Sequence, residues 1–247
     1  MTKKRLWISA GLILVIILVY WFYFSKPAYV PSKEQAIKDI NSSFPKVYAR
    51  VIQDTIRVDE RHVLIPFISK GKNYGLSYWV WQYHKWNVAG VDTKGSPSIW
   101  KINKNDPSTY QLVWNIHHPD NQLNSIDFYL MRKRNFNISG GIEQYDPKVQ
   151  MNRNVSLLKK TYGVVKLPKE WSTLMNSFTK AASGKQNVFQ RNDPFPDQTF
   201  TFGWLSISKS GKDKLILDSI NGTSYSSSSA NLEELMVLNK DQVELPY

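Results

Sequence analysis

The chain contains no cysteine. Disulfides therefore add nothing to its stability, and a thiolate metal site or a cysteine-linked lipid anchor is excluded. Histidine is nearly as scarce, limited to His62, His84, His117 and His118. No His-x-His, His-x-x-x-His or cysteine pair exists, and adjacent strand residues face opposite ways, so His117 and His118 do not chelate one ion. No metal and no cofactor is expected. The phosphate-binding patterns Gly-x-x-x-x-Gly-Lys and Gly-x-Gly-x-x-Gly are missing, as is the Gly-x-Ser-x-Gly elbow. The carboxylates are not paired for acid–base work, no internal repeat is found, and no catalytic residue is assigned.

Charge is missing from one stretch altogether, Leu6–Phe24, LWISAGLILVIILVYWFYF. As a helix it extends about 28 Å, close to a hydrocarbon core of about 30 Å. Trp7 stands at one end and Tyr20, Trp21 and Tyr23 at the other, where amphipathic rings suit the two water interfaces. A cleaved signal peptide has a shorter apolar centre and small residues before its cut. Cleavage after Ala28 puts Lys26 at the −3 position, a poor fit, so an uncleaved signal-anchor is expected. Lys3, Lys4 and Arg5 precede the stretch and only Lys26 follows closely, which keeps the N-terminus cytoplasmic and the bulk extracytoplasmic. The expected localisation is a cell membrane, crossed once.

The chain has 32 basic and 20 acidic residues, and three of the basic ones precede the apolar stretch, which leaves the remainder at +9. A basic excess beside a membrane points to anionic neighbours, lipid headgroups, wall polymers or extracellular nucleic acid, with other membrane proteins as further partners and no specific nucleic acid expected. The lack of cysteine suits a bacterial surface. Aromatics at 13% are too many for a disordered stalk. Asn41, Asn137, Asn154 and Asn221 stand in glycosylation sequons, which matter only in a host that glycosylates.

The expected fold class is α+β: an N-terminal transmembrane helix, then mainly antiparallel sheet with a few packed helices. The expected segments are a cytoplasmic 1–5, an anchor at 6–24, a spacer at 25–31, a helix plus strand meander at 32–103, and an α+β part at 108–247. Asn103–Pro107, polar and turn-forming, is the candidate boundary. Ser32 and Gln35 form a capping box for a helix carrying Ile37, Ile40 and Phe44, stopped by Pro45. Strands are expected over 47–58, 62–68, 74–83, 86–91, 110–117 and 125–134. Helix then meander, ending in Lys85-Trp86-Asn87-Val88, resembles in pattern the cone-shaped NTF2-like domains. Asp146 and Pro147 open an expected helix carrying Met151, Val155, Leu158 and Tyr162, with Lys159 and Lys160 in its last turn and Gly163 ending it. A second helix starts near Pro168 with Trp171, Leu174, Met175 and Phe178 on one face. A hairpin of 199–208 with 214–220, a mobile serine run at 224–229 and a short helix at 231–238 complete the reading.

Two groups are candidate ligand sites. Arg132, Lys133 and Arg134 make a basic cluster at a strand end, suited to an anionic surface. Trp79 and Trp81 share a strand face with Tyr83, suited to stacking on a ligand ring, although the same spacing describes a sheet packed against the Ser32–Phe44 helix. The expected function is a non-catalytic binding or scaffolding module anchored at a bacterial surface. The rival is an anchored surface hydrolase with His84 or His117 as base. A histidine, an acid and a serine in one cleft favour the rival.

Overall fold

The computed structural model describes residues 3–24, 26–27, 29–116, 123–139, 142–185, 200–208, 224–226 and 230–244. The fold is α+β, with mostly antiparallel sheets and, among the described residues, three α-helices. Its contacts divide it into two units, 1–93 with 224–229, and 94–223 with 230–247.

In the first unit, α1 (Lys3–Phe24) is a 22-residue helix. Its side-chain exposures are described over 7–22 only. Among the described residues no helix is long and apolar enough to cross a membrane. The helix expected at 6–24 is thus present, but the described fold does not establish a membrane crossing. In α2 (Lys33–Ser43) the Ser32 hydroxyl accepts from Gln35 N–H at 3.3 Å, the N-cap half of the expected capping box, while the Gln35 side chain donates to Asp39 Oδ1 at 2.7 Å. Phe44 closes the helix by donating its N–H to the Ile40 carbonyl at 2.8 Å. The helix buries Ala36 and Ile40, and the Asn41 amide clips it to the next strand. Asn41 Nδ2 donates to the Ala49 carbonyl at 2.9 Å, while Ala49 N–H donates to Asn41 Oδ1 at 2.7 Å.

The strands of this unit are β1 (Ala49–Ile52), β2 (Ile56–Arg57), β3 (His62–Ser69), β4 (Tyr74–Gln82) and β5 (Lys85–Asp92). They pair antiparallel in the order β1-β3-β4-β5, with β2 also on β3. The strand expected over 47–58 is broken in two. On β5 lies Ser224–Ser226, in register with Gly90–Asp92. The serine run, expected to be mobile, supplies paired backbone there. A polar side chain does not prevent a residue from joining a ladder whose bonds are all main-chain.

In the second unit come β6 (Ser98–Lys101), β7 (Tyr110–Asn115), β8 (Leu123–Arg132), β9 (Asn135–Ser139), β10 (Ile142–Asp146), β11 (Val149–Ser156), β12 (Tyr162–Lys166), α3 (Lys169–Lys185) and β13 (Thr201–Ser208). With Ser224–Ser226 numbered β14, β15 (Leu232–Glu234) and β16 (Met236–Val237) follow. One sheet runs β12-β7-β6-β15, a second runs β11-β8-β13-β16, and β9 pairs, among the described residues, with β10 alone. The β13–β16 pair is parallel. Leu112 and Trp114 of the first sheet, with Ile116 just past β7, share a core with Ile126, Phe128 and Leu130 of the second, and with Trp171 of α3. The Trp114 and Phe128 rings meet at 5.6 Å. The Asn103–Pro107 stretch is a turn between β6 and β7, where Asp106 Oδ1 caps the short Pro107–Thr109 3₁₀ turn by accepting from Ser108 N–H.

The second expected helix is present as α3. The helix expected from Asp146 is not: 142–166 forms β10, β11 and β12 instead. Met151 and Val155 lie four apart, a spacing that suits one helix face and one strand face alike. The open edge of β8 decides it, pairing Met151 with Leu130 and Val155 with Ile126. Lys159 and Lys160 consequently sit in a turn, exposed. Gly163 ends no helix. It lies in β12 opposite Trp114, and a Cβ there would come within 2.6 Å of Trp114 Cζ2. The short helix expected at 231–238 is likewise two strands, because β6 and β13 offer unpaired edges. The expected strand 214–220 lies outside the described residues.

Candidate functional site

Strands β4 and β5 are joined by a two-residue turn, with Gln82 paired to Lys85 and Trp81 to Trp86. Such a tight hairpin needs a left-handed backbone at both turn residues, normally supplied by Asn-Gly. Here Tyr83 has φ 54° and His84 φ 60°. A side chain held in that region costs about 1–2 kcal/mol per residue. Two bulky rings therefore occupy a position that favours small residues. Asn87 holds the turn shut, its Nδ2 donating to the Gln82 carbonyl at 3.0 Å and the Lys85 carbonyl at 3.1 Å.

What the strained turn does locally is receive the end of α1. Trp21 lies on the His84 ring with centroids 4.0 Å apart, and Phe22 lies 5.5 Å from the Tyr83 ring. Trp81 and Trp86, edge to face at 5.5 Å, complete an aromatic collar. His84 Nε2 is 2.7 Å from the Trp21 carbonyl. A carbonyl only accepts, so Nε2 carries the proton. Trp21 belongs to the last turn of α1, whose carbonyls have no partner inside the helix. His84 thus caps that helix end, and its Nε2 is not the base that the hydrolase reading requires.

The residues singled out in the sequence are scattered. Trp79 is fully buried, its Nε1 donating to Ser77 Oγ at 2.9 Å, and Trp81 is 5% exposed. Neither offers a face to a ligand, because β4 is covered on both sides. Arg132 is buried as well, its guanidinium 4.2 Å over the Phe178 ring of α3. Lys133 and Arg134 are exposed. The basic cluster is therefore split, since alternation turns Arg132 into the core. His62 Nδ1 meets Asp59 at 2.8 Å. Burial pushes the Asp59 carboxyl up, but the bonds from His62 and from Arg61 N–H outweigh it and hold the carboxyl below its ordinary value. His117 and His118 lie outside the described residues. Among the described residues no three acids and histidines gather to hold a metal ion.

Among the described residues, the open hollows of the second unit include the following two. One, of about 370 Å³, is lined by Lys101, Lys104, Tyr110, Asn231 and Glu233. Lys101 is ion-paired to Glu233 and lies 5.6 Å from the centre of the Tyr110 ring. Tyr110 donates its hydroxyl to the Lys104 carbonyl at 2.7 Å. Burial first, then Glu233 and Asp106, raise its pKa, so the phenol stays neutral. The other, of about 320 Å³, is lined by Met151, Arg153, Pro168, Glu170 and Trp171 among others. Neither hollow contains a histidine or a serine.

The collar was missed in the sequence because Tyr-His lacks the Asn or Gly that marks a tight turn. The only signal was the density of rings from Tyr78 to Trp86. No family model, curated protein or solved structure matches the chain. The likeness to NTF2-like domains therefore stands on the order of helix and meander alone.

Proposed function

We propose that the chain is a membrane-anchored, non-catalytic binding or scaffolding module, with α1 crossing a bilayer once and the remainder outside the cytoplasm. The observation that carries this reading is the surface of α1. From Leu12 through Val19 every side chain is between 49% and 63% exposed, on all sides of the helix. Fully burying one such side chain is worth about 1.5–3 kcal/mol. A helix apolar all round needs an apolar surrounding, and the other described residues leave its side chains exposed. The full helix counts 22 residues, about 33 Å. Its charge-free part follows Lys3, Lys4 and Arg5, which favours a cytoplasmic N-terminus.

The collar supports the same reading. Trp21, Tyr83 and His84 gather rings with polar handles beside Phe22 at one end of the apolar helix, a composition that suits the headgroup level. Anionic lipid headgroups and wall polymers are the partners that the +9 remainder favours. The test is topology: a reporter fused after Tyr247 is expected to be active only outside the cytoplasm. Activity inside would sink the proposal.

A further inference from the structure

We propose that the Tyr83-His84 turn is a membrane-contact element, seated in the headgroup layer beside the point where α1 leaves the bilayer. The inference deepens the anchor reading and rests on it, because α1 itself sets the level of the turn. The His84 ring lies 4.0 Å from the Trp21 ring, and Phe22 lies 5.5 Å from Tyr83 and 5.9 Å from His84. Trp21 and Phe22 belong to the last turn of α1, which ends at Phe24. One helical turn rises about 5.4 Å, and the interfacial zone on each side of a hydrocarbon core is about 5–7 Å deep. A turn that touches Trp21 and Phe22 therefore meets lipid wherever this helix end does.

The local chemistry of the turn fits a place where water is thin. Tyr83 at φ 54° and His84 at φ 60° hold rings where Asn-Gly is the ordinary choice, and strain of this kind gathers at functional sites. Tyr83 is 52% exposed, and Tyr20, Trp21 and Phe22 are exposed at the same end of α1. Together they make an aromatic belt of the sort that favours the membrane interface. Polar groups around the turn are meanwhile satisfied from within. Asn87 Nδ2 donates to the carbonyls of Gln82 and Lys85, the two residues that flank the turn. His84 Nε2 donates to the Trp21 carbonyl, one of the helix-end acceptors that otherwise depend on water. Lys85 is exposed beside the rings, and its long stem lets the ammonium reach outward.

With no native cysteine, Q82C and V15C each give the full chain one site for a solvent-sensitive fluorophore. Gln82 is exposed and flanks the turn, and Val15 lies midway along the charge-free stretch. Each labelled chain is reconstituted in phosphatidylcholine vesicles that carry a nitroxide lipid, either shallow or deep. The probe at position 82 is expected to blue-shift and to lose more fluorescence to the shallow nitroxide than to the deep one. Adding Tyr83→Asn/His84→Gly to the Q82C chain is expected to return that probe to water. A probe at 82 that neither nitroxide quenches overturns the proposal, and quenching that survives the loss of both rings overturns it too. The V15C probe reports the anchor separately. Quenched most by the deep nitroxide, it leaves the anchor standing whatever the turn does. Left in water, it refutes α1 as a span and overturns the membrane contact with it.

Discussion

Several single residues have geometry that their sequence context hides. Gly163 reads as a helix terminator but is a gap for the Trp114 ring, which a Cβ would reach at 2.6 Å. Gly163→Ala is expected to destabilise the second unit by about 1–3 kcal/mol, the usual cost of overpacking. Denaturant unfolding followed by tryptophan fluorescence measures it. Two sequon asparagines are committed to internal bonds. Asn41 clips α2 to β1, and Asn154 Nδ2 donates to Ser125 Oγ at 3.0 Å and to Asp127 Oδ1 at 2.5 Å. Asp59 gives a pH signature. Its folded pKa is depressed, so its contribution is fully present above the unfolded carboxylate value near 3.8 and is lost as pH falls through the lower folded one. Asp59 is 45% exposed, and solvent screens its pair with His62. Asp59→Asn is therefore expected to cost at most about 1 kcal/mol at neutral pH. Parallel unfolding curves should show the difference vanishing under acid conditions below the folded pKa.

At the scale of elements, what could be read early was what depends on short-range chemistry. The Ser32 cap, the α2 stop before Pro45 and the paired strands β3, β4 and β5 follow from local signals. The region 146–162 did not, because a spacing of four between Met151 and Val155 satisfies both periods, and the choice belongs to the edge of β8. The same holds for Asn231–Leu238, whose capping pattern yields to pairing with β6 and β13. The candidate site was least legible. Trp79 and Trp81 carried the right chemistry for stacking but are covered from both sides, whereas the collar depends on two positive φ angles that no composition reveals. Replacing Tyr83-His84 by Asn-Gly is expected to relieve the turn, roughly 1–2 kcal/mol per residue, and to strip the cap from α1. Hydrogen exchange should then show a better protected β4–β5 hairpin and faster exchange at the last turn of α1. Slower exchange in both places would argue against the cap.

For the whole molecule, the account turns on one imbalance. The two units carry ordinary cores built of strand and helix, while α1 exposes apolar side chains from Leu12 through Val19 to its surroundings. The proposal that α1 lies in lipid rests on that surface. The most direct measurement is alkaline carbonate extraction of membranes containing the full chain, beside an Ile13→Arg/Ile16→Arg variant. Each arginine at the centre of a span costs about 2.5–3.5 kcal/mol on the insertion scale, so the pair removes much of the drive to insert. The account predicts that the native chain stays in the membrane pellet and the double variant moves to the supernatant. Release of the native chain at alkaline pH would contradict it.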